Sequence, residues 1–347
     1  MRLPARRPRA ASLLATGGSA TIGRGEAPVR RRLEPGRRSE CRCKGHDRQV
    51  NLLLAAVAIV GVSASGPLMA YAAAPAMAIG FWRNALGTVV LAPFGWRRTV
   101  RELAGLDARG RWTIGFAGLM LALHFATWIY GLQLTSVAAA TAMVSMQVVF
   151  VVLIDRVRGR RAPRQVVFGV ALAIVGVLVI TGVDFALSPR ALSGDVLALA
   201  GGLTAALYLV AGSSLRVAAV GTAPREPIST TSYAVGCYAV CAIVLGVACL
   251  VARDDFVGYE RSTWLAIIAV TVCAQLLGHT ILNHLLAVMS PSLIALLLLL
   301  EVPGAALLAG WFLGQRPAAG VYLGLVVILA GLAVVTLRRN PPEAPMA

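Results

Sequence analysis

Thr113–Ile154 reads TIGFAGLMLALHFATWIYGLQLTSVAAATAMVSMQVVFVVLI, more than forty residues without a Lys, Arg, Asp or Glu. A helix crosses the hydrocarbon core of a bilayer with about 20 apolar residues, so this run is twice as long as one crossing needs. Only Leu134-Thr135-Ser136 interrupts it. A tight hairpin there splits the run into two spans, 113–132 and 135–154. Hydrocarbon offers no partner to backbone N–H and C=O groups, so the spans are helices.

The same reading along the chain adds runs at 51–68, 76–95, 165–183, 194–214, 231–251, 263–287, 291–313 and 318–337. The long stretch 263–313 divides at Ser290-Pro291-Ser292. The expected fold is therefore an all-α integral membrane protein with ten transmembrane helices.

Composition agrees with lipid as the solvent. Hydrophobic residues make up 58% of the 347 positions and charged residues 14%, against roughly 25% charged in soluble chains. The formal charge of +17 would suit a nucleic-acid partner, but the arginines stand in an N-terminal arm and in short loops between apolar runs. No nucleic-acid partner is expected. Residues 1–50 carry thirteen basic and four acidic residues, with Pro, Gly and Ser and no long apolar run. This arm is expected to be disordered. It is either an upstream extension of the natural start or a basic arm resting on anionic lipid.

Cys237, Cys241, Cys249 and Cys273 lie inside apolar runs, where a thiol serves as a small hydrophobe. Cys41-x-Cys43 with His46 lacks the further ligands of a zinc site. No metal and no cofactor are expected.

Arginines set the orientation. With the N-terminus inside, fourteen fall in inner loops or the tail (Arg97, Arg98, Arg101, Arg109, Arg111, Arg156, Arg158, Arg160, Arg161, Arg164, Arg216, Arg225, Arg338, Arg339) and four outside (Arg190, Arg253, Arg261, Arg316). Positive loops stay on the cytoplasmic side, so both termini are expected there, in a bacterial inner membrane.

Displacing the chain by 155 positions on itself aligns Gly159 with Gly314, Gly169 with Gly324, Gly176 with Gly331, Arg161 with Arg316 and His124 with His279. Each half holds five helices, residues 51–183 and 194–337, followed by a tail, 338–347. An odd number makes the second copy enter from the opposite side. The expectation is a pair of inverted five-helix repeats, the usual skeleton of secondary transporters.

The stretch His124-Phe125-Ala126-Thr127-Trp128 through Gln147 resembles the first repeat of EamA-type proteins of the drug/metabolite transporter superfamily. Gly278-His279-Thr280-Ile281-Leu282-Asn283 through Glu301-Val302-Pro303, then Gly314 and Gly324, resembles the second. The resemblance covers residues 51–337. It implies transport of amino acids, other metabolites or drugs, usually outward, in exchange with protons or down a gradient. It also implies a cavity formed by helices one to four and six to nine, with the fifth and tenth at the periphery. Val148 stands where relatives often have proline, and Arg160 and Gln315 stand where they often have glutamate. The missing proline suggests a fourth helix straighter than the ninth.

Polar groups inside apolar spans are costly, which makes them the candidate site residues. Glu301 lies near mid-depth of the ninth span, and Pro303 removes a backbone donor two residues on, kinking the helix. Burial favours the neutral, proton-bearing carboxyl, which suits proton coupling. The alternative is a structural carboxyl, capping a helix or pairing with Arg83. Gln275, His279 and Asn283 recur every four residues and form one polar stripe on the eighth helix. His124 and Trp128 share a face of the third. The two histidines suit solute binding or proton relay, or they serve with Gln147, Gln275 and Asn283 as interhelical hydrogen bonds. Arg83 is either a counter-ion or an arginine snorkelling to the outer headgroups. Trp128, Tyr130 and Tyr208 either line a cavity or serve as belt and packing residues. Gly320-x-x-x-Gly324 marks close packing against the ninth helix or a homodimer face.

No phosphate-binding loop, H-E-x-x-H or G-x-S-x-G occurs in the sequence, so neither an ATP-driven pump nor an intramembrane hydrolase is expected. The chain reads as a secondary transporter, an exporter of a small metabolite, amino acid or drug-like solute by alternating access, with proton coupling. The alternative is a non-transporting sensor or assembly protein that keeps the fold.

Overall fold

The computed structural model describes residues 35–159, 163–216, 228–289, 291–316 and 318–337. Contacts divide the chain into two units, Met1–Asp47 and Arg48–Ala347. In the first, the described residues are the opening turns of α1 (Pro35–Ser63), so the stretch just before the first span is helical. Most of the arm lies outside the described residues, as does the tail. All that follows concerns the second unit.

All regular structure among the described residues is helical, and helices cover each of the ten apolar runs. Six segments are long and apolar enough to cross a membrane: Gln49–Tyr71, Ala108–Leu132, Val137–Val157, Pro189–Leu215, Thr230–Ala252 and Arg261–Leu285. Ala76–Leu91, Arg164–Val179 and Ala319–Gly331 are shorter apolar helices. The chain is a multi-pass, all-α membrane protein.

In chain order, α2 (Ser65–Tyr71) continues α1, and α3 (Ala76–Leu91) follows. The loop of arginines after it contains a short helix that hydropathy does not reveal, α4 (Trp96–Ala104). It buries Thr99 and exposes Trp96 and Val100. Then comes α5 (Ala108–Leu132), capped by Asp107, whose carboxylate accepts from Gly110 N at 2.7 Å.

The hairpin expected at Leu134–Ser136 is present. α5 ends at Leu132, and α6 (Val137–Val144) starts with the Ser136 hydroxyl accepting from Ala139 N at 3.2 Å. A Ser cap of this kind satisfies one of the free N–H groups at a helix start. Gln315 adds a second, its Oε1 accepting from Val137 N at 3.1 Å. α7 (Gln147–Val157), α8 (Arg164–Leu187), α9 (Pro189–Arg216) and α10 (Thr230–Ala252) follow. The eighth run is α11 (Arg261–Val270), a π-helical segment (Thr271–His279) and α12 (Thr280–Leu285). The ninth is α13 (Pro291–Leu298) and α14 (Glu301–Phe312), and the last is α15 (Ala319–Leu337).

The fourth segment is not straighter than the ninth. It is interrupted between α6 and α7 just as the ninth is between α13 and α14. Met146 N bonds Met143 O, and Val148 N bonds Ser145 O. In the ninth, Leu300 N bonds Leu297 O, and Val302 N bonds Leu299 O. Both are tight i to i−3 bonds of the 3₁₀ type. Pro303 explains the ninth, since it cannot bond Leu299 O and Val302 does so instead. In the fourth, the Ser145 hydroxyl donates back to Thr141 O at 2.6 Å, a contact that bends helices without proline.

α8 and α15 lie against each other through glycines. A Cβ on Gly176 would stand 2.6 Å from Gly324 O, and one on Gly331 would stand 2.6 Å from Gly169 O. Gly324 thus packs on the fifth segment. The reading of Gly320-x-x-x-Gly324 as a contact for the ninth helix or a dimer face is corrected for that glycine, because close backbone approach has already covered it.

Candidate functional site

Glu301 is the first residue of α14 and Gln147 the first of α7. The two interruptions therefore each end in a polar side chain, and both side chains line the same cavity. His124 and Trp128 reach it from α5, Tyr208 from α9, His279 from the π-helical segment and Asn283 from α12. Apolar side chains such as Leu121, Leu209 and Leu282 complete a narrow cavity of about 30 Å³. Of the candidate residues read from the sequence, Glu301, His279, His124, Asn283, Trp128, Gln147 and Tyr208 meet here, and Gln275, Arg83 and Tyr130 do not.

The lining is well ordered by its own bonds. His124 Nδ1 lies 3.0 Å from Gly201 O, and a carbonyl only accepts, so Nδ1 holds a proton. In the neutral ring this leaves Nε2 as an acceptor. Trp128 stacks on His124 at 5.4 Å between centroids, with 22° between planes. The Tyr208 hydroxyl donates to Asn283 Oδ1 at 2.7 Å. That corrects the belt reading of Tyr208, which is 3% exposed; Tyr130, 51% exposed, keeps it.

Among the described residues, Trp128 Nε1 and Asn283 Nδ2 of this lining make no hydrogen bond within 3.5 Å. A buried donor left without a partner costs about 1–3 kcal/mol, and both side chains belong to the cavity lining.

Gln275 and Arg83 stand apart from the cavity, in a buried network next to it. Arg83 is fully buried. Its Nε and Nη2 donate to Gln275 Oε1 at 3.0 and 2.8 Å. Nη1 reaches Ser65 Oγ at 3.3 Å and Met69 Sδ at 3.2 Å. Gln275 Nε2 in turn donates to Asn84 Oδ1 at 2.9 Å, and Asn84 Nδ2 to Gly80 O at 2.8 Å.

The snorkelling reading of Arg83 is thereby corrected. An inward partner set of this quality outweighs reaching for the headgroups, because each bond to a charged donor is stronger than a neutral one. Nor is Arg83 paired directly with Glu301. Among the described residues the one ion pair within 4 Å is Arg98–Glu102.

Phe125 joins the network to the cavity. Arg83 lies over its ring, 4.1 Å from the centroid, and the rings of His124 and His279 stand 4.8 and 5.6 Å from it. The polar stripe of the eighth segment is therefore divided, with Gln275 serving Arg83 while His279 and Asn283 serve the cavity.

The π-helical segment makes this division. Thr280 N and Thr280 Oγ1 both bond Gln275 O, the latter at 2.9 Å, and Tyr238 OH adds a contact at 3.4 Å. The wider turn changes the facing of residues around it. Sequence reasoning missed Asn84, although it stands beside Arg83 in an apolar run. It also missed Ser65, a polar residue inside the run 51–68, and Phe125, for which an apolar run gives no signal.

At the arginine-rich end, Glu102 of α4 accepts from Ser229 N at 2.8 Å and Ser229 Oγ at 2.7 Å, and from Arg98 at 2.6 Å. Ser229 is the N-cap of α10. Burial alone would push the Glu102 carboxyl up, but the hydrogen bonds from Arg98, Ser232 and Ser229 hold it down at about 2.

Residues 49–182 match the EamA-like transporter family. A protein of Archaeoglobus fulgidus described as an uncharacterized transporter is 22% identical over 266 residues, covering 76% of this chain and 88% of the relative. A solved structure described only as the crystal structure of a protein is similar in fold, with a TM-score of 0.62. It is 19% identical and the match covers 83% of this chain and 97% of that one.

Proposed function

We propose that this chain, an EamA-type member of the drug/metabolite transporter superfamily, is a secondary exporter of a small metabolite, amino acid or drug-like solute by alternating access. The observation carrying this reading is the cavity itself. Segments from both halves of the chain supply Glu301, His124, His279, Gln147 and Asn283 to one space. Its lining combines apolar side chains with the amides of Gln147 and Asn283 and with Glu301 and two histidines, groups able to bind or pass a proton.

On this reading ten spans form two inverted five-helix repeats, with both termini in the cytoplasm of a bacterial cell. The glycine contacts between α8 and α15 support the symmetry. Gly176 meets Gly324 and Gly331 meets Gly169, while the 155-residue displacement relates Gly169 to Gly324 and Gly176 to Gly331. Such exchanged contacts are what a two-fold axis between two copies produces. The paired interruptions before Gln147 and Glu301 support it too.

Glu301 is the proton carrier in this mechanism, and the two histidines flank the solute. When the cavity opens to one side, Glu301 exchanges its proton with that side. When it closes, the apolar lining disfavours the charged carboxylate, so proton and solute occupancy become linked. Gln147 and Asn283 position the solute, while Arg83 and Gln275 brace the wall through Phe125.

The test is flux in proteoliposomes, with amino acids and toxic analogues as a panel. Uptake or release above that of protein-free vesicles for at least one solute is the expected result. A folded protein that moves none of the panel, with or without a proton gradient, would overturn the reading.

A further inference from the structure

A second space lies on the outer face of the helices. α2 contributes Pro67 and Leu68, α11 contributes Ala266 and Ala269, and α14 contributes Leu308 and Phe312 to an open apolar groove of about 630 Å³. On α11 the groove is lined by the small Ala266 and Ala269 together with Leu265. Its length runs from Ser262 to Cys273, eleven residues. At a rise of about 1.5 Å per residue this is roughly 16 Å, about half of the ~30 Å hydrocarbon core, which is the depth of one leaflet.

We infer that this groove holds one acyl chain of a membrane phospholipid. Two of its three walls belong to segments able to cross the membrane, so the medium against it is hydrocarbon, and an apolar space of this kind takes apolar molecules rather than water. One end is polar. Tyr71, 54% exposed, and Ser262 stand there, with the exposed Arg261 next in sequence. The loop before it carries Asp254, Asp255 and Glu260 as well, so this end of the groove is polar and charged without selecting an anionic headgroup. Cys273 lines the far end, where the chain terminus would rest. The inference depends on the membrane location alone and stands or falls independently of transport.

The full-length protein is placed in vesicles of phosphatidylethanolamine and phosphatidylglycerol that contain a trace of phospholipid with a diazirine near the middle of one chain. After irradiation the attachment sites are mapped by digestion and mass spectrometry. Label on 64–71, 262–273 and 304–312 is expected several-fold above that on the exposed face of α10 at Ile243, Val247 and Leu250. Ala269→Trp, which fills the groove, should bring groove labelling down to the α10 level. Even labelling of all bilayer-facing residues in the wild type, or unchanged groove labelling in a folded Ala269→Trp protein, would overturn the inference. Should Ala269→Trp not fold, the wild-type ratio of groove to α10 label decides by itself.

Discussion

The guanidinium of Arg83 lies 4.1 Å from the centre of the Phe125 ring, and the same ring meets His279 edge-on at 5.6 Å. One aromatic side chain therefore separates a buried cation from a histidine of the cavity. The cation–π contact is worth about 2 kcal/mol where water is excluded. It adds to the bonds that Gln275, Ser65 and Met69 make to Arg83, and it fixes Phe125 as a wall between charge and solute.

Arg83→Lys should lower thermal stability, because an ammonium cannot donate from two nitrogens to Gln275 Oε1 while reaching Ser65. A loss of roughly 1–3 kcal/mol follows from leaving buried partners unmet. Melting of the purified protein in detergent measures it. Melting equal to wild type would mean that the network contributes nothing to the fold.

Glu301→Gln should flatten the pH dependence of transport while leaving solute affinity within about tenfold, or about 1.4 kcal/mol. The amide keeps the shape and loses the proton. His124→Ala and His279→Ala should each slow transport. Flux at a series of pH values in proteoliposomes checks all three, and a Glu301→Gln protein with the wild-type rate and pH profile would show the carboxyl to be structural.

Gly176→Ala and Gly331→Ala should destabilise to a similar degree, by about 1–3 kcal/mol, since each added methyl meets a carbonyl oxygen at 2.6 Å. Gly115→Ala is the control, with nothing within 4 Å of its new methyl. Comparing the three melting temperatures separates a close helix contact from a general effect of replacing glycine.

Glu102→Gln should weaken the tie between α4 and the start of α10 by roughly 1–2 kcal/mol at neutral pH. The Glu102 carboxyl is held down at about 2 in the folded protein. Its contribution is therefore present above the ordinary carboxylate range and lost as pH falls from about 4 toward 2. Wild type and variant should converge in stability across that window, and a difference that persists unchanged to pH 2 would assign the effect to shape rather than charge.

The amino-acid sequence determined the solvent of this protein and most of its helices. Runs of about 20 apolar residues admit only one structure in hydrocarbon, and the break at Leu134–Ser136 is where one helix ends and the next begins, because a helix start's free N–H groups need partners such as the Ser136 hydroxyl. Glu301, His124, His279 and Asn283 were legible for the same reason, since a polar group in an apolar run has to be met by something.

Which partner meets it was decided only by the tertiary structure. Gln275 and Asn283 share a stripe by spacing, yet the π-helical turn between them sends one to Arg83 and the other to Tyr208. Arg83 had lipid headgroups and buried acceptors as rival partners, and only the approach of α3 to the π-helical segment settles the choice. The bend before Gln147 likewise comes from Ser145 bonding Thr141. Helices follow from local burial and backbone hydrogen bonding. Pairings between helices depend on distances of a few ångströms that no residue carries in its own identity.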